Sequence, residues 1–327
     1  MKDREEENQV NEELFDEEIN QPSSKGVYRI LSILLVIAII FTFVLPPLFS
    51  SLSSLLAGGR LENHEAVELI NYFEDNYLHQ NVFETEYYQS KRAKLLEKNS
   101  ISMLQFNLFV KDVARNAGDP YTYFSINPKP PTGGIVENRI IDLNNNYMRI
   151  YNFKENVSGI LRDLLMDNNH RILIIDLRDN VGGNLLELLS IVDFFLPEGI
   201  EAFRLEGKGE IRSFITKEKS NSSFEKIFIL LNEDSASASE IFALTMLLNM
   251  DNVRLIGKKT SGKAVAQLEH KNLDHNYTFS VVTYEWYVEN QTAVDLQSYL
   301  LEYKDEKLYT LEDYLLIVKE IINTERK

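Results

Sequence analysis

Seven residues, Arg171–Leu177 (RILIIDL), constrain this chain more than any other stretch. A strand built from them is apolar on both faces, the pattern of a central parallel strand covered by helices on each side. Its surroundings agree. Tyr147–Phe153, Ile227–Leu231 and Val253–Ile256 read as further short strands. Val157, Ile160, Leu161, Leu164 and Leu165 recur at helical spacing, and helices are predicted over 184–196 and from about 237 to 250. Tyr277–Val288 reads as another strand. Leu311, Tyr314, Leu315, Val318, Ile321 and Ile322 form one face of a final helix. Residues 62–116 read as helical, with Ala66, Ile70, Phe73 and Tyr77 on one face and Leu104, Leu108, Val110 and Val113 on another. The predicted fold class is α/β, strands and helices alternating, behind a helical N-terminal region.

Charge is spread unevenly around this core. The 327 residues carry 34 Lys+Arg against 50 Asp+Glu, net −16. That balance argues against general nucleic-acid binding, which needs clustered cations against phosphate. Nine of the acids fall in residues 1–26 beside three bases, an acidic tail too poor in apolar surface to offset the entropy of ordering. From Ile30 to Gly59 no residue is charged. Ile30–Phe49 reaches the roughly 20 residues a helix needs to cross a bilayer and predicts one transmembrane span. A cleaved signal peptide is the rival reading; the long acidic leader and the lack of an A-x-A-like site before Arg60 stand against it. Lys25 and Arg29 precede the run and only Arg60 lies just after it, which places the N-terminus in the cytoplasm and residues 60–327 outside. The chain has no cysteine, which excludes disulfides, a Cys nucleophile and thiolate metal sites.

Three segments carry unusual chemistry. Asp176–Gly183 (DLRDNVGG) ends the buried strand with paired glycines, which let backbone N–H groups approach an anion or oxyanion; a plain strand-to-helix turn is the simpler reading. Asn232–Glu240 (NEDSASASE) lies between a strand and a helix, where free amides and the helix dipole could support a nucleophilic serine. Ser235 there also suits an N-cap. Gly257–Gln267 (GKKTSGKAVAQ) has the Gly257, Gly262 and Lys263 spacing of a phosphate-binding loop, but Ala264 stands where the Mg²⁺-binding Ser or Thr belongs, and no helical pattern follows. Ser223–Lys226 has S-x-x-K spacing ahead of a strand rather than opening a helix, and His64–Glu68 lacks the second histidine of a zinc-protease motif. The five histidines all lie outside the three segments, so a Ser-His-Asp triad has no obvious home.

Taken in order, these segments resemble the tail-specific, or C-terminal processing, family of serine proteases. That family's D-L-R-x-N-x-G-G turn is similar to Asp176–Gly183, its N-E-x-S-A-S-A-S-E block to Asn232–Glu240, and its G-x-x-T-x-G-K-x-x-x-Q block to Gly257–Gln267. Gly118–Phe124 (GDPYTYF) looks like its D-P-Y segment. The resemblance implies a ClpP/crotonase-like core and a Ser-Lys peptidase with no cofactor or metal. Ser237 would be the nucleophile, Lys263 the general base and Gln267 the residue orienting it. The N–H of Ala238 and of Gly182 or Gly183 would form the oxyanion hole, with Glu240 in support. A Ser–Lys pair is a known variant of the triad, and burial must lower the lysine pKa before it can accept a proton.

Departures qualify that picture. Members of the family usually insert a PDZ peptide-binding module after the D-P-Y segment, and here only residues 125–146 separate Phe124 from Tyr147. Val181 stands where proline is common, Ser261 replaces a frequent Phe, and the family pattern is not evident beyond Asn290. The implied organisation is an acidic cytoplasmic tail (1–26), an anchor and flank (27–57), a helical region (60–117), a protease core (118–290) and a C-terminal helical segment (291–327). The implied partners are a polypeptide substrate, the membrane through residues 30–49, and an adaptor or oligomer contact in place of the missing module. Two alternatives stay open: a catalytically silent peptide-binding scaffold and a P-loop nucleotide-binding protein.

Overall fold

Ile172–Asp176 forms a strand with all five residues buried, as its two-faced apolar pattern requires. The structure, a computed structural model, describes residues 59–128, 135–142, 144–166, 170–220, 222–300 and 310–325. The acidic tail and the apolar run Ile30–Phe49 lie outside the described residues. Among those described, no helix is long and apolar enough to cross a membrane.

The elements run in chain order as β1 (Arg60–Glu62), α1 (Asn63–Asn76), α2 (Glu86–Leu96), β2 (Ser100–Ser102), α3 (Met103–Asn116), β3 (Tyr123–Ile126), β4 (Val136–Ile140), β5 (Asn145–Ile150), α4 (Val157–Met166), β6 (Ile172–Asp176), α5 (Leu185–Phe195), β7 (Glu201–Gly207), β8 (Glu210–Ile215), β9 (Lys226–Leu231), α6 (Ala238–Asn249), β10 (Val253–Gly257), β11 (Val265–Asn272), β12 (Tyr277–Tyr287), α7 (Ala293–Leu296) and α8 (Leu311–Glu325). One five-stranded sheet has the order β10-β9-β6-β5-β4, its first four strands parallel and β4 antiparallel on the edge. A second, antiparallel sheet has the order β11-β12-β7-β8, with β3 also paired to β12.

Strand alternation divides the parallel sheet between two cores. Leu173 and Ile175 of β6, with Ile227, Ile229 and Leu231 of β9, join the cluster containing α4, α5 and α6. Ile172 and Ile174, with Phe228 and Leu230, face Tyr314, Ile317 and Val318 of α8. β12 links two cores in turn. Tyr277, Phe279 and Val281 pack with α1 and α3, whereas Tyr284, Trp286 and Val288 enter the main core. Between these halves its pairing with β11 slips, so that Ala266 opposes Tyr284 while Gln267 opposes Val282. Such a bulge re-aims the neighbouring side chains.

The structure corrects the periodicity reading in several places. Residues 60–116 hold the antiparallel pair β1–β2 as well as helices, and a 3-10 turn spans Gln80–Glu84. On α3 the buried stripe is Met103, Phe106, Phe109, Val110 and Val113, while Leu108 is 57% exposed. A capping box sets that phase: the Ser102 hydroxyl accepts from Gln105 N–H and the Gln105 side chain accepts from Ser102 N–H, both at 3.2 Å. Strands β3, β4, β7, β8 and β11 were not expected. β4 is a largely exposed edge strand and five of the six β8 residues are exposed, so neither has an apolar face to announce it. The C-terminal region beyond Asn290 supplies α7 and α8, the latter closing one face of the parallel sheet.

Candidate active site

All three distinctive segments leave the carboxyl ends of parallel strands, Leu177–Gly183 after β6, Asn232–Ser237 after β9 and Lys258–Lys263 after β10. That edge is where open parallel sheets present ligand sites. Short hydrogen bonds pin the segments together. Asp179 N–H donates to Asn232 Oδ1 at 2.9 Å, and Asn232 Nδ2 returns a bond to Asp179 Oδ1 at 2.7 Å. Ala236 N–H donates to the Asn180 carbonyl and Ser261 N–H to that of Ser235, each at 3.0 Å.

The three serines of the S-A-S-A-S run separate by their partners. Ser235 and Ser239 are fully buried. Their hydroxyls donate to the carbonyls of Leu177 and Asn180, each at 2.8 Å, and so bind the run to the glycine turn. Ser237 is only partly buried. Ser237 and Glu240 form a capping box in which the Ser237 oxygen faces the Glu240 N–H, itself bonded to the Ser237 carbonyl at 2.8 Å, and the Ser237 hydroxyl proton has no acceptor among the described residues. Ser237 sits at the N-cap of α6 with φ 55° and ψ −115°, a conformation that a non-glycine residue keeps only when its surroundings enforce it. The hydroxyl is thereby held at a helix N-terminus with its proton uncommitted.

Lys263 is held by a network around Glu240. The Glu240 carboxylate is completely buried. It accepts the N–H of Ser237 at 2.7 Å, of Gly262 at 2.8 Å and of Lys263 at 3.1 Å, and the Thr260 hydroxyl at 2.6 Å. Burial raises this carboxyl above the ordinary range even against those four donors. The Lys263 carbonyl takes the indole N–H of buried Trp286 at 2.7 Å. Its ammonium lies 5.2 Å from the centroid of the Tyr121 ring and donates to Gln267 Oε1 at 2.5 Å. Burial lowers the Lys263 pKa below the usual lysine value, while Glu240, Asp119 and Glu269 pull it partly back up.

Gln267 presents its oxygen to Lys263 because its nitrogen is engaged elsewhere. Nε2 donates to the Tyr121 carbonyl at 2.7 Å and to Ser280 Oγ at 2.8 Å. Asp119 in turn shapes the Tyr121 segment, its Oδ1 accepting from Tyr121 N–H at 2.7 Å and Thr122 N–H at 3.2 Å. The D-P-Y segment therefore forms one wall of the site.

The glycine turn sits against Ser237. A Cβ on Gly182 would lie 2.8 Å from the Ala236 carbonyl and 3.0 Å from both Ala238 N and Ser237 Cβ, so only glycine allows this approach. The Gly182 N–H is engaged by Asn180 Oδ1 at 2.9 Å. The N–H groups of Gly183 and Ala238 have no acceptor among the described residues. Beneath the turn, Asp176 and Arg178 form a buried pair, with Nη2 to Oδ2 at 2.7 Å and Nε to Oδ1 at 2.9 Å. Tyr147 OH adds a bond to Asp176 Oδ2 at 2.7 Å, and the Tyr314 ring of α8 covers the guanidinium at 4.6 Å.

Every sequence-derived candidate thus lies in one constellation: Ser237, Lys263, Gln267, Glu240, Ala238, Gly182 and Gly183. The structure does not place a hydrogen bond between Ser237 and Lys263 side chains; the lysine's bond goes to Gln267. Tyr121, Thr260, Ser280 and Trp286 were missed as site residues. Tyr121 and Thr260 fell inside the quoted motifs, and the one tryptophan of the chain was a signal for Trp286. Ser280 had none. Lys263 leads into strand β11, not a helix, so the phosphate-loop reading lacks the helix N-terminus that would bind the anion. Among the described residues no group of three or more His, Asp and Glu could hold a metal ion.

Comparison with known proteins bears on the same region. Residues 140–298 match the family model of peptidase family S41. The chain is 33% identical over 128 residues to the chloroplastic carboxyl-terminal-processing peptidase 2 of Arabidopsis thaliana, covering 37% of this chain and 24% of that protein. It is 35% identical over 126 residues to a Staphylococcus aureus protein named "Probable CtpA-like serine protease", covering 36% of this chain and 25% of that one. The chain therefore spans about a quarter of the length of these curated relatives. The solved photosystem II D1 C-terminal processing protease has the same fold, with a TM-score of 0.53 at 12% identity over 70% of this chain and 88% of that one.

Proposed function

We propose, from the match of residues 140–298 to the model of peptidase family S41, that the chain is a serine endopeptidase that cleaves polypeptides through an acyl-enzyme on Ser237. One observation carries the reading: of the three clustered serines, only Ser237 donates its hydroxyl proton to no carbonyl among the described residues, and one buried carboxylate ties its backbone to that of Lys263.

In the proposed reaction Ser237 Oγ attacks the scissile carbonyl carbon while its proton passes to the neutral amine of Lys263. The step requires Nζ to turn from Gln267 toward Oγ, a movement that the flexible four-carbon stem allows. The carbonyl oxygen takes up negative charge and is met by the N–H groups of Ala238 and Gly183, since Gly182 N–H is engaged with Asn180. Collapse breaks the C–N bond, and Lys263 returns its proton to the leaving amine. A water then adds to the ester with Lys263 again as base, which releases the acid and restores Ser237. Desolvation of the lysine supports this role, because it favours the neutral amine that a base must be.

The same proposal anchors the chain in the cell membrane through residues 30–49, N-terminus in the cytoplasm and catalytic domain outside, on the strength of the uncharged run. With β3 ending at Ile126 and β4 starting at Val136, an adaptor or second copy takes the place of a peptide-reading module.

The test is reaction of the purified chain with a fluorophosphonate and with an unfolded polypeptide, beside Ser237→Ala and Lys263→Ala. Wild type is expected to label and cleave, and both variants to lose cleavage. Equal inertness of all three would leave a silent peptide-binding scaffold instead.

A further inference from the structure

The N-terminal helices carry a groove that the proposed reaction does not use. It lies between α2 and α3 and encloses about 460 Å³. Lys91 and Lys94 line it from α2, Lys98 from the turn that follows, and Lys111 and Arg115 from α3. Asp112 is the one acid in the lining. Lys91 holds it at 2.8 Å and the Tyr87 hydroxyl at 2.5 Å. Among the described residues no carboxylate pairs with Lys94, Lys98 or Lys111, and Arg115 acts on Asp112 through its charge alone; all four cations are exposed. In a chain of net −16 this concentration of unpaired cations is an inverted patch. Apolar surface accompanies it, with Leu108 57% exposed beside buried Phe109 and Leu95.

The groove is also fastened to the point where the described chain begins. Met103 N–H donates to the Gly59 carbonyl at 3.1 Å, Arg60 Nη2 to the Ser100 carbonyl at 2.9 Å and Asn63 Nδ2 to the Lys98 carbonyl at 2.8 Å. These bonds lock β1 onto the turn between α2 and α3. From Phe49 to Gly59 the chain can reach at most about 36 Å when fully extended. A span over residues 30–49 would therefore keep Gly59 within that distance of the bilayer.

We propose that this groove docks on the anionic phospholipid headgroups of the membrane in which the chain is anchored, holding the catalytic domain against the bilayer. Unpaired lysine and arginine attract a surface of phosphate groups, and an exposed leucine among them inserts at the interface. The acidic tail of residues 1–26 is the competing anion, but a span over 30–49 leaves it on the opposite side of the membrane. The inference rests on that proposed span.

The test places the full chain in nanodiscs of phosphatidylcholine alone and of phosphatidylcholine mixed with phosphatidylglycerol. An alkaline wash of the same chain in liposomes reads the span separately. Amine acetylation at Lys94, Lys98 and Lys111 is then followed by mass spectrometry, with exposed Lys219 as the internal control. Docking is expected to lower labelling of the three lysines several-fold in the anionic discs only, and high salt is expected to restore it by screening. The combined variant Lys94→Glu, Lys98→Glu, Lys111→Glu should label its remaining Lys91 alike in both discs while retaining cleavage of a soluble unfolded substrate. A retained chain with equal labelling in both discs overturns the docking alone; a chain released by the wash overturns the span and the docking together. Protection that persists in detergent and vanishes on deletion of residues 1–26 would assign the groove to the acidic tail and also overturns it.

Discussion

The backbone N–H of Ser237 donates to Glu240 Oε2 at 2.7 Å. Through that carboxylate the turn bearing the proposed nucleophile and the loop bearing the proposed base become one rigid unit, since Glu240 also accepts from Thr260, Gly262 and Lys263. Four donors satisfy it, three of them backbone amides. An amide in its place would set a nitrogen against N–H or O–H donors. A buried donor left unmatched costs about 1–3 kcal/mol. Glu240→Gln is therefore expected to lower unfolding free energy by about 2 kcal/mol in denaturant titrations and to slow fluorophosphonate labelling of Ser237.

The partners of the three serines make distinct expectations. Ser235→Ala and Ser239→Ala each remove one of two bonds to a carbonyl, at Leu177 and Asn180, which keep the N–H of Asn180 and of Ala236, and should lose about 1 kcal/mol of stability while keeping some labelling. Ser237→Gly should abolish labelling yet be at least as stable as wild type, because glycine accepts φ 55° without strain. Chemical denaturation and gel-based labelling check both halves.

Lys263 should govern the pH profile. Its lowered pKa means that kcat/KM rises with pH through a single ionisation below the ordinary lysine value. The linkage has the same sign. Between the lowered folded value and the higher unfolded one the unfolded chain binds more protons, so this residue's contribution to stability increases with pH. Relative to Lys263→Met, wild type should be less favoured at neutral pH and recover as pH rises, as urea unfolding at several pH values would show.

Ser280 tests whether the orientation of Gln267 matters. Its Oγ is one of two acceptors holding Nε2, the other being the Tyr121 carbonyl. Ser280→Ala should lower kcat by about five-fold with little change in KM, as loss of roughly one hydrogen bond near 1 kcal/mol implies. Ser280→Thr, which restores the acceptor, should recover much of the loss. A purely structural role would lower stability without that split.

Tyr314 links the C-terminal helix to the turn beneath the site. Its ring lies 4.6 Å from the Arg178 guanidinium carbon, and its hydroxyl donates to the Leu231 carbonyl at 3.1 Å. Tyr314→Ala should cost about 3–5 kcal/mol through the cavity it leaves, and Tyr314→Phe about 1 kcal/mol for the lost bond. Thermal or denaturant unfolding distinguishes them.

The parallel sheet could be read in advance because β6 and β9 are buried on both faces and look like nothing else. Strand β8 and the edge strand β4 could not, since exposed strands carry no hydrophobic period. The same division runs through the site. Ser237, Lys263, Gln267 and Glu240 stand in compact motifs, whereas Ser280 reaches Gln267 across a bulged strand pair that no local pattern marks.

By itself the sequence determined the kinds of chemistry available and the strand–helix order that delivers them, because side-chain identity and hydrophobic periodicity are local properties. Tertiary structure alone decided which of Ser235, Ser237 and Ser239 keeps its hydroxyl proton uncommitted, why Gln267 turns its oxygen to Lys263, and how Glu240 spans both loops. Each outcome depends on burial and on donors and acceptors brought together from afar, as when Gln267 meets the carbonyl of Tyr121 across 146 residues of chain.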